Sequence, residues 1–96
     1  MATKVEVKLV GEFTTVDVFL EGDEIPLKEI NDNEYHKVYT NFQIEGSLDV
    51  LVRLKGFYSM DWDIKIFVND NEIFHRSGVF DDKEFVTLKA EIDLGV

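Results

Sequence analysis

Hydrophobic and charged residues alternate along much of this chain. Val5, Val7 and Leu9 occupy every second position of the first run, and lysine or glutamate fills the positions between them. The same period of two recurs over residues 48–55, 62–69 and 86–94. Successive side chains of a strand point to opposite faces of a sheet, so this period predicts half-buried antiparallel strands.

Weaker alternation and turn residues complete the predicted strand order. Further strands are expected over residues 13–21, 35–45 and 72–77. The breaks between strands carry glycine, asparagine and aspartate, and Asn69-Asp70-Asn71 predicts a tight hairpin. About seven strands with regularly spaced turns predict an all-β fold, an antiparallel β-sandwich, with a small closed β-barrel as the alternative.

Residues 23–31 interrupt the pattern. Pro26, the only proline, has no N–H group and is excluded from a central strand. Leu27 and Ile30 are three residues apart, which suits a single helical turn, and a long loop fits equally well. We therefore expect a helical turn or a loop here, within a single β domain spanning residues 1–96.

Net charge narrows the classes of partner. The chain has 20 acidic and 10 basic residues, for a net charge of −10. This balance argues against direct nucleic-acid binding, which needs a basic stripe, and against binding to an anionic membrane surface. A basic protein partner, a bound cation or a role in solubility alone is compatible with it.

The sequence contains no cysteine and no long apolar run. Without disulfides, the hydrophobic core has to stabilise the fold. No run approaches the roughly 20 apolar residues of a membrane span. Alternation begins almost at the N-terminus, where a signal peptide would need a continuous apolar stretch. We therefore expect a cytoplasmic protein, or a trimmed form of an exported one.

Strict alternation of strand direction would gather the acidic connections at one end of the domain. Under that assumption the N-terminus and residues 22–34, 57–62 and 78–84 share one end, and residues 11–12, 45–47 and 69–72 share the other. The first set contains most of the acidic loop residues. An acidic rim is therefore expected at one end.

Four aspartates at this expected rim form a candidate calcium site. Asp61 and Asp63 are two residues apart, and Asp81 and Asp82 lie across the next hairpin. Calcium takes about six to eight oxygen ligands, which loops at one end of a sandwich can supply. The calcium-loop pattern with a central glycine and terminal glutamate is missing. The alternative is that these aspartates only form turns and contact solvent.

Several aromatic and apolar residues fall on the polar side of their strands. On the predicted strand 35–45, Tyr35 and Tyr39 lie on the opposite side from Val38. On their own strands, four further residues lie opposite the main apolar set: Phe19, Leu51, Phe57 and Phe67. Neighbouring faces of this kind would form an apolar patch for a partner. The alternatives are a β-bulge that shifts parity, a helical cover from residues 25–31 that buries these side chains, and scattered single exposures that need no explanation. The loop before Trp62 is the most aromatic connection and suits contact with a protein or a sugar. The residues predicted to contact a partner are Phe57, Tyr58, Trp62, Phe67, Leu51 and Phe19.

The sequence shows no residue set typical of catalysis. His36 and His75 have no cysteine or second histidine at zinc-ligand spacing, and no serine lies in a nucleophile-elbow motif. We expect a non-enzymatic binding module that engages another protein, or itself, through the aromatic patch and the acidic rim. The alternatives are a calcium-dependent carbohydrate- or lipid-binding sandwich and an acidic inhibitor that mimics nucleic-acid charge.

Overall fold

Two antiparallel sheets make up the molecule. The structure, a computed structural model, describes residues 3–31, 33–42, 44, 46–80 and 86–93, with the backbone alone for residues 28–31. These residues form nine strands and no helix: β1 Thr3–Gly11, β2 Phe13–Leu20, β3 Asp23–Glu24, β4 Lys28–Asn31, β5 Glu34–Phe42, β6 Ser47–Gly56, β7 Asp61–Val68, β8 Asn71–Val79 and β9 Val86–Asp93.

The strand order confirms a sandwich. Sheet A has the order β4-β5-β1-β7-β8, and sheet B has the order β3-β2-β6-β9. Every described strand pair is antiparallel. The predicted β-sandwich is therefore confirmed, with more strands than expected, and the alternative of a closed barrel is wrong.

The core lies between the inner faces of the sheets, at the alternate positions that the sequence marks. Val5, Val7 and Leu9 of β1 are almost fully buried. The same holds for Leu48, Val50, Val52 and Leu54 of β6 and for Ile64 and Ile66 of β7. Burying one such side chain contributes about 1.5–3 kcal/mol. No polar or charged residue in the described part of the chain is buried, so apolar contact holds the sheets together.

The hairpin between β7 and β8 is confirmed. Asn69 and Asp70 both adopt positive φ, 49° and 68°, as a two-residue turn of type I′ requires. The side chain of Asn69 accepts a hydrogen bond from the backbone N–H of Lys4, and Asp70 binds the Lys4 ammonium at 2.7 Å. The hydrogen bond from the Lys4 ammonium to Asp70, and then the negative charge of Asp70, raise the pKa of Lys4. Because the pKa of Lys4 is raised in the folded state, its pairing with Asp70 contributes to the stability of the fold at neutral pH. That contribution is lost only as the pH rises above 10.5, the ordinary pKa of lysine.

Residues 23–31 are neither a helical turn nor a loop, contrary to both expectations. After the turn at Glu21 and Gly22, β3 pairs with the end of β2 in sheet B, and β4 then pairs with β5 in sheet A. Pro26 lies in the crossing between the sheets, where no ladder hydrogen bond is needed. This segment is thus an additional pass along the length of the sandwich.

Because of this additional pass, the connections that follow it lie at the opposite end of the sandwich from the one expected. We call one end the apex; it contains Gly11–Glu12, Asn33, Phe57–Met60 and Phe80. The base is the opposite end, with the turns at Glu21–Gly22 and Asn69–Asp70. Asp23, Glu24 and Asp70 therefore lie far from Asp61. The expected single acidic rim is wrong, because the described acidic residues are divided between the two ends.

Close packing at the apex makes Gly56 sensitive to substitution. A Cβ atom at this position would lie 2.4 Å from the carbonyl oxygen of Glu12 and 2.4 Å from the ring of Phe80. Overpacking costs typically about 1–3 kcal/mol, and here one obstacle is backbone. We expect Gly56→Ala to lower the free energy of unfolding by at least about 2 kcal/mol, measured by urea denaturation.

Gly22→Ala is the matched control for this prediction. A Cβ atom at Gly22 would meet no atom within 4 Å, and only the φ of 81° opposes it. That conformational penalty is about 1–2 kcal/mol. A loss for Gly56→Ala no larger than the loss for Gly22→Ala would contradict the tight packing described here.

Candidate functional site

An aromatic floor closes the apex of the core. Phe13 makes edge contacts with Tyr35 and Phe80, with ring centroids 5.6 and 5.8 Å apart, and Trp62 lies 6.4 Å from Phe80. Trp62 is 7% exposed and faces inward from the start of β7. Gly78 lies opposite it, and a Cβ there would come within 2.9 Å of the indole. The glycine therefore makes room for the large ring, and together these residues fill the apical end of the core.

The aromatic loop Phe57–Met60 is fastened above this floor by backbone hydrogen bonds. The N–H of Ser59 donates to the carbonyl of Phe80 at 3.0 Å, and the N–H of Phe80 donates to the carbonyl of Met60 at 3.0 Å. A third bond joins the N–H of Met60 to the carbonyl of Phe57 at 3.1 Å. These contacts fix the loop while leaving the side chains of Phe57 and Tyr58 55% and 67% exposed.

Exposed apolar side chains are concentrated at the apex. Six large hydrophobic residues are exposed in the described part of the chain, and five of them lie at this end. We call these five the apical patch: Val10, Phe57, Tyr58, Met60 and Val79. The sixth, Val38, lies on the outer face of sheet A. Single exposed hydrophobic residues are ordinary on protein surfaces, but a cluster of this kind is typical of an interaction site.

Two carboxylates lie among the residues of the apical patch on sheet A. Val10 and Val79 line a shallow depression of about 380 Å³ together with Asp61 and Asp63. The register of the ladder explains this arrangement, because Val10 lies opposite Asp63 and Val79 lies opposite Asp61. On sheet A the patch is therefore mixed in character, because Asp61 and Asp63 of β7 lie between Val10 of β1 and Val79 of β8.

The predicted partner-contacting residues do not form one surface. Phe57 and Tyr58 are exposed at the apex, whereas Trp62, which was expected to be exposed with them, is buried in the floor beneath them. The other three lie on the two sheets: Phe19 and Leu51 are cross-strand neighbours on the outer face of sheet B, and Phe67 lies on the outer face of sheet A. The expectation of a continuous patch is wrong, because opposite sheets separate these residues.

The tyrosines of β5 have the reverse orientation to the one expected. Tyr35 and Tyr39 lie opposite Leu9 and Val5 and pack against the core, and Val38 is the exposed residue. Lys37 shares their side of the strand, with its ammonium 5.2 Å from the centre of the Tyr39 ring. Alternation alone does not show which side of β5 faces inward, because that depends on its pairing with β1.

The described residues do not assemble a calcium site. Asp61 and Asp63 lie on one face of β7, but the carboxylate of Asp63 is hydrogen-bonded to His75 at 2.7 Å. Asp81 and Asp82 lie outside the described residues. Within the described ranges, no group of three or more acidic, histidine or cysteine side chains has metal-binding geometry. The calcium site stays a prediction.

Two histidine–carboxylate pairs on the outer face of sheet A were missed in the sequence. His36 binds Glu6 at 2.5 Å, and His75 binds Asp63 at 2.7 Å. The partners are 30 and 12 residues apart in the chain, so no local spacing links them. Both imidazoles are partly exposed on the outside of a sheet, and we assign them no catalytic role.

Calcium binding is tested directly by thermal unfolding. Calcium that binds only the folded state raises the melting temperature. At a calcium concentration one hundred times the dissociation constant, the free energy of unfolding increases by about 2.7 kcal/mol. The ligands tested are Asp61, Asp63, Asp81 and Asp82. Asp61→Asn with Asp82→Asn removes two carboxylates and abolishes the rise. Magnesium is the control ion, since its smaller size and strict octahedral preference disfavour the same loops. An unchanged melting temperature in millimolar calcium rejects the site.

Comparison with protein-family models, with curated proteins and with solved structures found no match to this chain. A search of the described residues for a helix of sufficient length and apolarity to cross a membrane found none. A function for this chain is therefore inferred from its own geometry, in which the apical patch is the most distinctive surface.

Proposed function

We propose that this chain is a non-enzymatic binding module that engages a protein partner through the apical patch. One observation carries the proposal: five of the six exposed large hydrophobic residues in the described part of the chain share one end of the sandwich. Interaction surfaces are enriched in aromatic residues and methionine, and Phe57, Tyr58 and Met60 supply both.

The support beneath the loop suits it to binding. Ser59 adopts a φ of 63°, and its N–H is bonded to the carbonyl of Phe80, so the loop backbone is tied to the residue that follows β8. Ordering a mobile side chain on association costs about 0.5–1.5 kcal/mol, and a fixed loop avoids part of that cost. Burying the ring of Phe57 contributes up to about 1.5–3 kcal/mol.

The charge within the patch favours a particular kind of partner. Asp61 and Asp63 lie between Val10 and Val79, and the chain as a whole carries a net charge of −10. A complementary surface has an apolar area that faces the aromatic loop and lysine or arginine that faces Asp61 and Asp63. Opposite charges accelerate association and fix orientation more than they add affinity, so salt should mainly slow binding.

Capture from the native host with matched variants tests the proposal. We expect the wild-type chain to retain a protein that Phe57→Ser with Tyr58→Ser does not retain, because the aromatic anchors are removed. Val38→Thr is the control, since it removes the one exposed hydrophobic residue of the described chain that lies outside the patch. With the purified pair, the double variant should weaken the dissociation constant by at least about tenfold, or about 1.4 kcal/mol.

Trp62 provides a second measurement with the purified pair. It is the only tryptophan of the chain and lies in the floor below the patch. Docking on the apex should therefore change its fluorescence, with the same concentration dependence as the calorimetric signal. Equal retention of the partner by the wild type and the Phe57→Ser, Tyr58→Ser variant would reject the apical patch as the binding surface.

A further inference from the structure

One long, regular sheet edge in the described structure has no strand beside it. Among the four edge strands, β3 and β4 are only 2 and 4 residues long, and the pairing of β8 with β7 contains a bulge between Ile66 and Phe67. Short edges and bulges are devices that prevent further strand pairing. β9 pairs with β6 from Val86 to Asp93 without a register shift, so its outer edge is straight.

Within one copy of the chain, the apolar side chains of β9 are only partly buried, and two of its charged side chains lack an oppositely charged partner in the part that the structure describes. Val86, Leu88, Ala90 and Ile92 face the core but are only half-buried. On the outer face, Glu91 lies directly opposite Asp49 of β6, and like charges in this relation are destabilising. Within the described ranges, neither Glu91 nor Lys89 has an oppositely charged partner within 4 Å.

We propose that β9 pairs with β9 of a second copy of this chain across a two-fold axis. The two four-stranded B sheets then form one continuous antiparallel sheet. A two-fold axis perpendicular to the sheet keeps both inner faces on the same side. Because a shift of one residue would turn inner side chains outward, the allowed registers differ by steps of two residues.

Charge selects one of these registers. With Ala90 opposite Ala90, Lys89 of each copy lies opposite Glu91 of the other, and Leu88 lies opposite Ile92. Moving the register by two residues places either Lys89 opposite Lys89 or Glu91 opposite Glu91. The Ala90-centred register therefore forms two symmetric ion pairs. Each Glu91, which lies beside the negatively charged Asp49 on β6, gains a positively charged neighbour on its other side.

This assembly is separate from the proposed apical interaction. β9 runs along the side of the sandwich, and its antiparallel pairing places the two apical patches at opposite ends of the dimer. The dimer is thus a bivalent form of the proposed module, and bivalent binding strengthens attachment to a partner that presents repeated sites. Phe57→Ser with Tyr58→Ser should leave dimerisation unchanged, so failure of one proposal is distinguishable from failure of the other.

Exchange of the charged pair tests the register. Sedimentation equilibrium from about 1 μM to about 1 mM should show a reversible dimer. Lys89→Glu or Glu91→Lys alone turns two attractive pairs into two repulsive ones and should raise the dissociation constant at least about tenfold. The double variant Lys89→Glu, Glu91→Lys restores opposite charges and should return the constant to within about threefold of wild type. Glu91→Lys also removes the repulsion with Asp49, so weakened dimerisation cannot be attributed to unfolding.

A cysteine at the symmetry axis gives an independent test, because the chain has no cysteine of its own. Opposed residues of antiparallel strands have Cα atoms about 4.5–5.5 Å apart, within the range of a disulfide. Ala90→Cys should therefore cross-link to its own copy under mild oxidation. Thr87→Cys is the control, since two copies of residue 87 would be about 20 Å apart.

Three results would overturn the proposal. These are a monomer over the whole concentration range, a dimer insensitive to either charge variant, and cross-linking of Thr87→Cys as efficient as that of Ala90→Cys. A chain that stays monomeric but pairs its β9 edge with a strand of a different protein would also overturn the proposal.

Discussion

Contact between the inner faces of the two sheets is the interaction on which the whole molecule depends. No disulfide is available, and no buried ion pair or polar network occurs in the described part of the chain. The sheets are held by the burial of short aliphatic side chains such as Val7, Val52 and Ile64. Because each of these residues is followed by an outward-facing one, the same alternation that builds the core also determines what the two outer faces display.

The apex follows from how this core ends. Aliphatic residues fill the middle of the sandwich, and the rings of Phe13, Trp62 and Phe80 close it at one end. Gly56 and Gly78 are needed there because the rings occupy the space that a Cβ atom would take. The loop above is fastened to Phe80, so its exposed aromatic side chains are a consequence of a well-packed floor rather than of a loose connection. The hydrogen-bonded loop backbone and its exposed apolar side chains thus arise from one arrangement.

The sides and the end of the sandwich present different kinds of surface. An end displays side chains from loops, whereas an edge strand displays a row of backbone donors and acceptors with charged side chains on one face. The described structure protects three of its four edges by shortness or a bulge and leaves β9 regular. The apex and the edge of β9 are therefore separate surfaces of different chemistry.

The sequence by itself determined the strands with strict alternation and the residues they bury. Val5, Val7 and Leu9, and likewise the apolar set of β6, are buried because a period of two admits only one inner face per strand. The tight turn at Asn69 and Asp70 was equally readable, since both residue types tolerate positive φ. The sequence also indicated exposed side chains for Phe57 and Tyr58, but it grouped Trp62 with them, and Trp62 is buried.

Only the tertiary structure decided which sheet each strand joins and which end each loop occupies. Parity separates the two faces of a strand but does not name its neighbours, so Phe19 and Phe67 looked alike although they lie on opposite sides of the sandwich. Residues 23–31 carry no alternation, and their passage from sheet B to sheet A is imposed by pairing with β2 and β5. That single passage moves every later loop to the other end. Periodicity is a property of neighbouring residues, whereas sheet membership depends on contacts between residues far apart in the chain.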